Sequence, residues 1–223
     1  MWLFNYPKVS SVENVNLDIE KFENFTDKGK DKIAEICRIA AQVFSEKGYL
    51  NATLADVAHA AGITKGGIFH YFSTKEELLF LILYRHLDKA LHNLKSKLDT
   101  CNSNHDKISV FIQQHINNYR DNQAESHLAL HERGNLPEKH MGIIKEKERE
   151  YVGILKSIIE SLMKGRKKNA KNATLISYSL LGMLTWPYSW FNPKGKSSPE
   201  ELSEIIYKIF IGDLKILQSR KRK

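Results

Sequence analysis

A chain of 223 residues with 42% hydrophobic and 27% charged side chains has the make-up of an ordinary globular protein. It is long enough to bury roughly 70% of its unfolded surface. Two cysteines, Cys37 and Cys101, with no CxxC pair and no zinc spacing, exclude a disulfide scaffold and read as free thiols in a reducing compartment. The formal charge is +8, but residues 26–80 hold seven basic and seven acidic side chains whereas 164–223 hold thirteen against four. The excess therefore lies in the C-terminal part.

At the N-terminus, Trp2, Leu3, Phe4 and Tyr6 are interrupted by Asn5, Pro7 and Lys8 before a signal-peptide core can form. No apolar stretch approaches the 18 residues of a membrane span. The expectation is a cytoplasmic protein that does not use the membrane. Residues 1–25 carry no sustained period and read as an extension. Ile33, Ile36, Cys37, Ala40 and Phe44 then recur at helical spacing, and Gly48 follows as a stop. Thr53 with Asp56 makes a capping-box pattern for a helix to about Ala61, ended by Gly62. Thr64 caps a short helix to Tyr71 or Phe72. Thr74 with Glu77 makes a second box, opening a long helix from Leu78 through Leu98.

Beyond Asn104 the periodic segments are helical again. One stripe is Ile108, Phe111, Ile112, His115, Ile116 and Tyr119. A short helix is expected over Glu125–Glu132, with a turn at Gly134 and Pro137. A longer helix carries Ile143, Ile144, Tyr151, Ile154, Leu155, Ile158 and Leu162. A strongly apolar helix follows from about Asn172 to Phe191, kinked at Pro187, which lacks an N–H. A loop from Asn192 to Ser198 precedes Pro199, which suits the first turn of a last helix reaching Leu217. The chain reads as all-α.

The span from Leu54 to Phe72 meets the demands of a helix-turn-helix. Ala58 is small where two short helices cross, and Gly62 tolerates a left-handed turn. Val57, Ala61, Ile63 and Ile68 can fill the wedge behind them. A plain αα-hairpin shows the same spacing. The residues Thr53-Leu-Ala-Asp-Val-Ala58, Ala61-Gly-Ile-Thr-Lys-Gly-Gly-Ile-Phe-His-Tyr-Phe72 and Thr74-Lys-Glu-Glu-Leu78 go further, for they resemble the TetR-family signature throughout. The resemblance covers about 50 residues. It implies a regulator that binds a double-stranded DNA operator as a homodimer in a prokaryotic cytoplasm, at the nucleoid.

The same resemblance implies residue roles. Thr53 and Thr64, at helix N-termini, would hold phosphates. Lys65, Gly67 and His70 would read bases, and Tyr71 and Lys75 would grip the backbone. The family usually has tyrosine where this chain has Phe69, so that hydroxyl contact is missing and Phe69 is expected to pack. The domains expected are an extension (1–25), a DNA-binding domain (26–75), a ligand-binding and dimerisation domain (76–218) and a basic tail (219–223). On the last helix Ile205, Ile206, Ile209, Phe210, Leu214 and Leu217 form a wide stripe, with Ile205, Ile209 and Phe210 expected in the dimer interface.

A second stretch, Trp186 to Trp190 with Phe191-Asn-Pro-Lys-Gly195, resembles the branch of the family that senses acyl-CoA thioesters. It implies a small-molecule effector in a tunnel lined by Tyr119, Tyr151, Tyr178 and Trp186, its phosphates met by Lys and Arg of 164–171 or by Lys194 and Lys196. Two further readings stand beside this one: a sensor of small hydrophobic molecules controlling efflux, and an architectural DNA-binding protein without an effector.

His127 and His131 lie i,i+4 with Glu132 adjacent and His140 beyond the turn, but structural histidines are commoner than metal ligands and no metal or other cofactor is expected. Enzymatic motifs fail on spacing. His131-Glu-Arg-Gly-Asn135 lacks the second histidine of HExxH, and Gly195-Lys-Ser197 has Trp190 in place of the first P-loop glycine. No catalytic residue is assigned.

Overall fold

A computed structural model of the chain describes residues 19, 21, 22, 24–163 and 170–219, with the backbone alone for 170, 171 and 213–219. Among the described residues there is no strand. The helices are α1 (Asp27–Lys47), α2 (Leu54–Ala60), α3 (Lys65–Tyr71), α4 (Lys75–Leu98), α5 (Asn104–Asp121), α6 (Gln123–His131), α7 (Glu138–Leu162), α8 (Ala170–Thr185) and α9 (Pro199–Ser219). Short 3-10 turns cover Arg133–Asn135 and Trp186–Ser189. No helix among the described residues is long and apolar enough to cross a membrane.

Most helix ends fall where cap chemistry placed them. Thr26, Thr53, Thr64 and Ser103 each accept an N–H of the first turn with their hydroxyl oxygen, removing one of the orphan donors of a helix start. Ser198 and Glu201 form a full capping box on α9 that the pattern had not singled out: Ser198 N donates to Glu201 Oε2 and Glu201 N to Ser198 Oγ.

Two expected helix ends differ from the structure. Thr74 Oγ1 does accept from Glu77 N, but Glu77 Oε2 reaches back to Ser73 N at 2.6 Å, so the second box closes one residue earlier than predicted. And α8 does not kink at Pro187 and run on to Phe191. It ends at Thr185, and Pro187 sits in the first turn of the 3-10 segment. The proline ring disfavours α geometry at Trp186 and removes a helix donor, so the helix stops.

By packing, the chain divides into two compact units that interleave in sequence. One comprises the described residues up to His86 together with Ala124–Glu146. The other comprises Leu87–Gln123 and the described residues from Lys147 onward. The expected junction after residue 75 therefore falls inside the first unit, because α6 and the start of α7 pack there; the ring of His140 lies flat on that of Phe80, centroids 4.1 Å apart. The core of the first unit is built by Ile33, Ile36, Cys37, Ala40 and Phe44 of α1 with Val57, Ala58, Ile68, Phe72, Leu78 and Leu79. The second unit is a helical core in which α9 lies chiefly on α5. Ile108, Phe111, Ile112 and Ile116 meet Leu155, Ile159, Leu180, Leu184, Ile206 and Phe210.

Candidate functional site

The turn between α2 and α3 is a Schellman motif. Gly62 N donates to His59 O and Ile63 N to Ala58 O, with Gly62 at φ 63°. Those bonds need a left-handed residue, and nothing stands within 4 Å of where a Cβ would project at Gly62. The requirement is thus conformational rather than steric. Val57, Ala58 and Ile68 are buried behind the turn, while Ala61 and Ile63 are only half-buried. This wedge sets the crossing of two short helices and turns one face of α3 outward.

On that face Lys65 and His70 are exposed and Tyr71 is half-buried. Thr64 Oγ1 accepts from Gly67 N at 3.0 Å, and a Cβ at Gly67 would come within 3.2 Å of that oxygen. Gly67 therefore contributes a close backbone surface rather than a side chain. Phe69, expected to pack, is 48% exposed. One residue ahead of His70 on the helix, it turns away from Ile68 and Phe72, which take the core positions.

Thr53 and Lys75 are engaged inside the protein. The backbone N–H and the hydroxyl of Thr53 both donate to Asp56 Oδ2, at 2.8 and 2.7 Å, and Lys47 Nζ donates to Asp56 Oδ1 at 2.6 Å. The Lys47 hydrogen bond, then those of Thr53, hold the Asp56 carboxyl well below the usual range. Lys75 Nζ donates to the carbonyl oxygens of Tyr49, Ala52 and Leu50 at 2.7, 3.0 and 3.2 Å, and lies 4.4 Å from the centre of the Tyr49 ring. An ammonium has three hydrogens, and all three are placed. Lys75 staples the loop between α1 and α2.

Residues ahead of α1, read from sequence as a mere extension, pack against the α3–α4 junction. Lys21 pairs with Glu77 at 2.5 Å, and Phe22 is buried with its ring 5.6 Å from that of Phe72. Phe25 stacks on Tyr71, with centroids 5.7 Å apart and planes 29° apart, and meets His70 edge-on at 6.0 Å. The aromatics at 22 and 25 were the available signal, but three residues of spacing are too few to show a period.

In the second unit, Tyr119, Tyr151 and Tyr178 are half-buried. The Tyr119 hydroxyl lies 3.5 Å from the carbonyl oxygens of Tyr188 and Phe191. Tyr151 Oη is 3.1 Å from His115 Nδ1, a partner the helical stripe contained but did not single out. Burial pushes the His115 imidazole down to about 4 and the Tyr151 phenol up, so the pair is uncharged at neutral pH. Trp186, expected in the same lining, is 70% exposed on its 3-10 turn.

Gly195 follows a chain reversal in which its N–H donates to Asn192 O; a Cβ would approach that oxygen at 3.0 Å. Lys194 and Lys196 beside it are exposed. On α9, Ile205 and Ile209 are about half exposed, whereas Phe210, one residue on and about 100° around the helix, turns into the unit's own core. The basic residues of 164–169 and 220–223 lie outside the described residues, as do the side chains of Lys171, Leu214 and Leu217. Among the described residues no three His, Cys, Asp or Glu side chains gather as a metal site requires.

Comparison with known proteins gives two family matches. Residues 36–82 match the model described as bacterial regulatory proteins, tetR family, and residues 101–214 match the tetracyclin repressor-like C-terminal domain. The chain is 25% identical over 193 residues to the HTH-type transcriptional repressor KstR2 of Mycolicibacterium smegmatis, covering 84% of this chain and 92% of the relative. A TetR-family transcriptional regulator from Bordetella parapertussis superposes with a TM-score of 0.75 at 25% identity, covering 80% of this chain and 93% of that one. AibR, solved with isovaleryl coenzyme A and operator DNA, shares the fold with a TM-score of 0.70 at 24% identity, covering 80% and 97%.

Proposed function

The chain belongs to the TetR family of bacterial regulatory proteins, and on that premise we propose that it is a dimeric repressor that holds a pseudo-palindromic operator through α3 and releases it when a small effector binds the second unit. It is a DNA-binding transcriptional regulator, as are its relatives, and not an enzyme. Its place of work is the nucleoid of a prokaryotic cytoplasm.

The observation that carries the DNA reading is the outward face of α3. A Schellman turn fixes the helix against α2, and Lys65 and His70 stand exposed on it with Gly67 giving close approach. Lys65 and His70 read base edges in the major groove; the Thr64 and Tyr71 hydroxyls meet phosphates. Thr53 and Lys75 serve the same contact indirectly, by holding the start of α2 and the loop before it. Phe69 offers an apolar surface to a thymine methyl, as exposed aromatics in the groove can. Two copies pair through Ile205 and Ile209 of α9, and reading successive major grooves requires α3 and its copy about 34–36 Å apart, or a multiple of that.

For the effector, we favour an acyl-CoA or related CoA thioester. The uncharged His115–Tyr151 pair sits in an apolar core that suits an acyl chain bearing one polar carbonyl, and Lys194 and Lys196 supply exposed cations for phosphates. AibR, solved in complex with isovaleryl coenzyme A and operator DNA, lends this reading support by analogy. A sensor of neutral hydrophobic molecules draws on the same core and has no use for the lysines.

Calorimetry against a chain-length series of acyl-CoAs and the matching free acids separates the two. Tight binding of the thioesters with release of operator DNA is expected. Equal affinity for acid and thioester leaves the hydrophobic sensor. No binding of any thioester likewise removes the CoA reading and leaves the hydrophobic sensor.

A further inference from the structure

Phe25, outside the helix-turn-helix, makes ring contacts with both His70 and Tyr71. Its ring stacks on Tyr71 and meets His70 edge-on, and the His70 and Tyr71 rings themselves meet at 5.0 Å and 79°, so the three form a closed cluster. The ring has a built seat. At Gly29, in the first turn of α1, a Cβ would stand 3.0 Å from Phe25 Cδ1 and 3.1 Å from Phe25 Cβ, tighter than most side-chain contacts, so the ring would have to shift. Glycine is a poor helix former, and here its bare face admits an aromatic ring. Upstream, the segment is anchored by Phe22 against Phe72 and by Lys21 on Glu77.

We propose that Phe25, seated on Gly29, is a positioning residue for DNA recognition that holds His70 and Tyr71 in the orientation in which α3 meets the operator. The proposal rests on the reading of α3 as the DNA-facing helix. An exposed imidazole is otherwise free to occupy several rotamers, and ordering it on binding weakens association by a factor of a few to about ten per side chain. A ring packed on two sides removes that freedom before DNA arrives. Edge-to-face and offset aromatic pairs suit the purpose because they fix ring orientation as well as distance. Phe25 carries no charge and needs no contact with DNA.

The test compares full-length Phe25→Ala, Phe25→Tyr and Gly29→Ala with the unaltered protein, in titrations of operator and of scrambled DNA across salt. Phe25→Ala is expected to weaken operator binding about tenfold and scrambled DNA less than twofold. The salt slope should not change, since no cation is lost. Phe25→Tyr restores operator affinity, and Gly29→Ala reproduces the loss by displacing the ring. In a His70→Ala background the effect of Phe25→Ala shrinks, because the two act through one contact.

Full operator affinity in Phe25→Ala overturns the proposal. So does an equal loss on operator and scrambled DNA, which marks a purely structural role. If Phe25→Ala no longer melts cooperatively, Phe25→Leu, which keeps bulk without a ring, decides by the same criteria. His70→Ala separates this failure from that of the underlying reading. If His70→Ala discriminates as well as the unaltered protein, His70 is not a base reader and the underlying reading fails at that residue. If it loses discrimination while Phe25→Ala does not, only the positioning role falls.

Discussion

Lys65 and Lys75 stand ten residues apart in one signature and have opposite surroundings. Lys65 is exposed at the first position of α3, whereas Lys75 gives its three hydrogens to Tyr49, Leu50 and Ala52. Removing them should therefore fail in different ways. Lys65→Gln is expected to lose about 1–3 kcal/mol of discrimination at the base it reads, with thermal stability nearly unchanged. Lys75→Gln should leave three carbonyls short of donors and destabilise the fold by about 1–3 kcal/mol, with discrimination between operator and scrambled DNA kept. Melting curves beside titrations of operator and scrambled DNA check both. An unaltered melting temperature in Lys75→Gln would remove the staple.

His115 makes a second residue-scale prediction. Its folded value of about 4 lies below the 6.5 of a free imidazole, and burial is the cause. The unfolded chain thus binds the proton more readily than the folded one. The contribution is complete above the unfolded value and declines as pH falls from about 6.5 toward 4, by up to about 1.4 kcal/mol per pH unit. Chemical denaturation of the protein and of His115→Phe at pH 7 and pH 5 should show a shallower acid loss in the variant. Parallel loss in both would mean that the imidazole does not titrate differently on folding.

At the scale of elements, the α2–α3 turn tests whether the helix pair depends on backbone geometry. Gly62 has open space around its missing Cβ, so Gly62→Ala meets no clash. The cost expected, about 1–2 kcal/mol, comes from placing an L side chain at φ 63°. Urea titration of Gly62→Ala measures it, and a cost near zero would mean that the turn changes conformation.

The elements themselves were largely legible in the sequence because their ends carry cap residues that act locally. Thr53, Thr64 and Gly62 satisfy helix termini within four residues and need no tertiary information. What was not legible depends on distant chain. Glu77 shifts its reach to Ser73 while also taking Lys21, 56 residues away. Phe69 is exposed and Phe210 buried because the neighbouring positions on each helix took the core. Trp186 faces outward because Pro187 ends α8 one residue earlier. Phe25 escaped notice because its role lies in two rings more than 40 residues along the chain.

At the scale of the whole molecule, the pairing proposed above uses the face of α9 that carries Ile205 and Ile209. Ile205 and Ile209, one turn apart, are about half exposed, and Leu175 of α8 is exposed as well. Ile209→Asp puts a charge on this face without entering the core, so the expected outcome is a folded monomer with weak operator affinity, read by sedimentation and gel shift. A dimeric Ile209→Asp protein would place the interface elsewhere. Phe210→Asp is no substitute test, because that side chain helps to close its own unit and the variant would lose stability first.

The staple made by Lys75 has a practical consequence for mapping the interface. Amine-reactive reagents need an accessible nitrogen, and the Lys75 nitrogen, bonded to three carbonyl oxygens, becomes accessible only when the loop opens. In a footprinting experiment Lys65 should label quickly in the free protein and be protected by operator, whereas Lys75 should label slowly with or without DNA. Slow labelling at Lys75 is then a measure of how often the α1–α2 loop comes undone, and its rate, followed over temperature, reports local opening in a part of the protein that binding assays leave unseen.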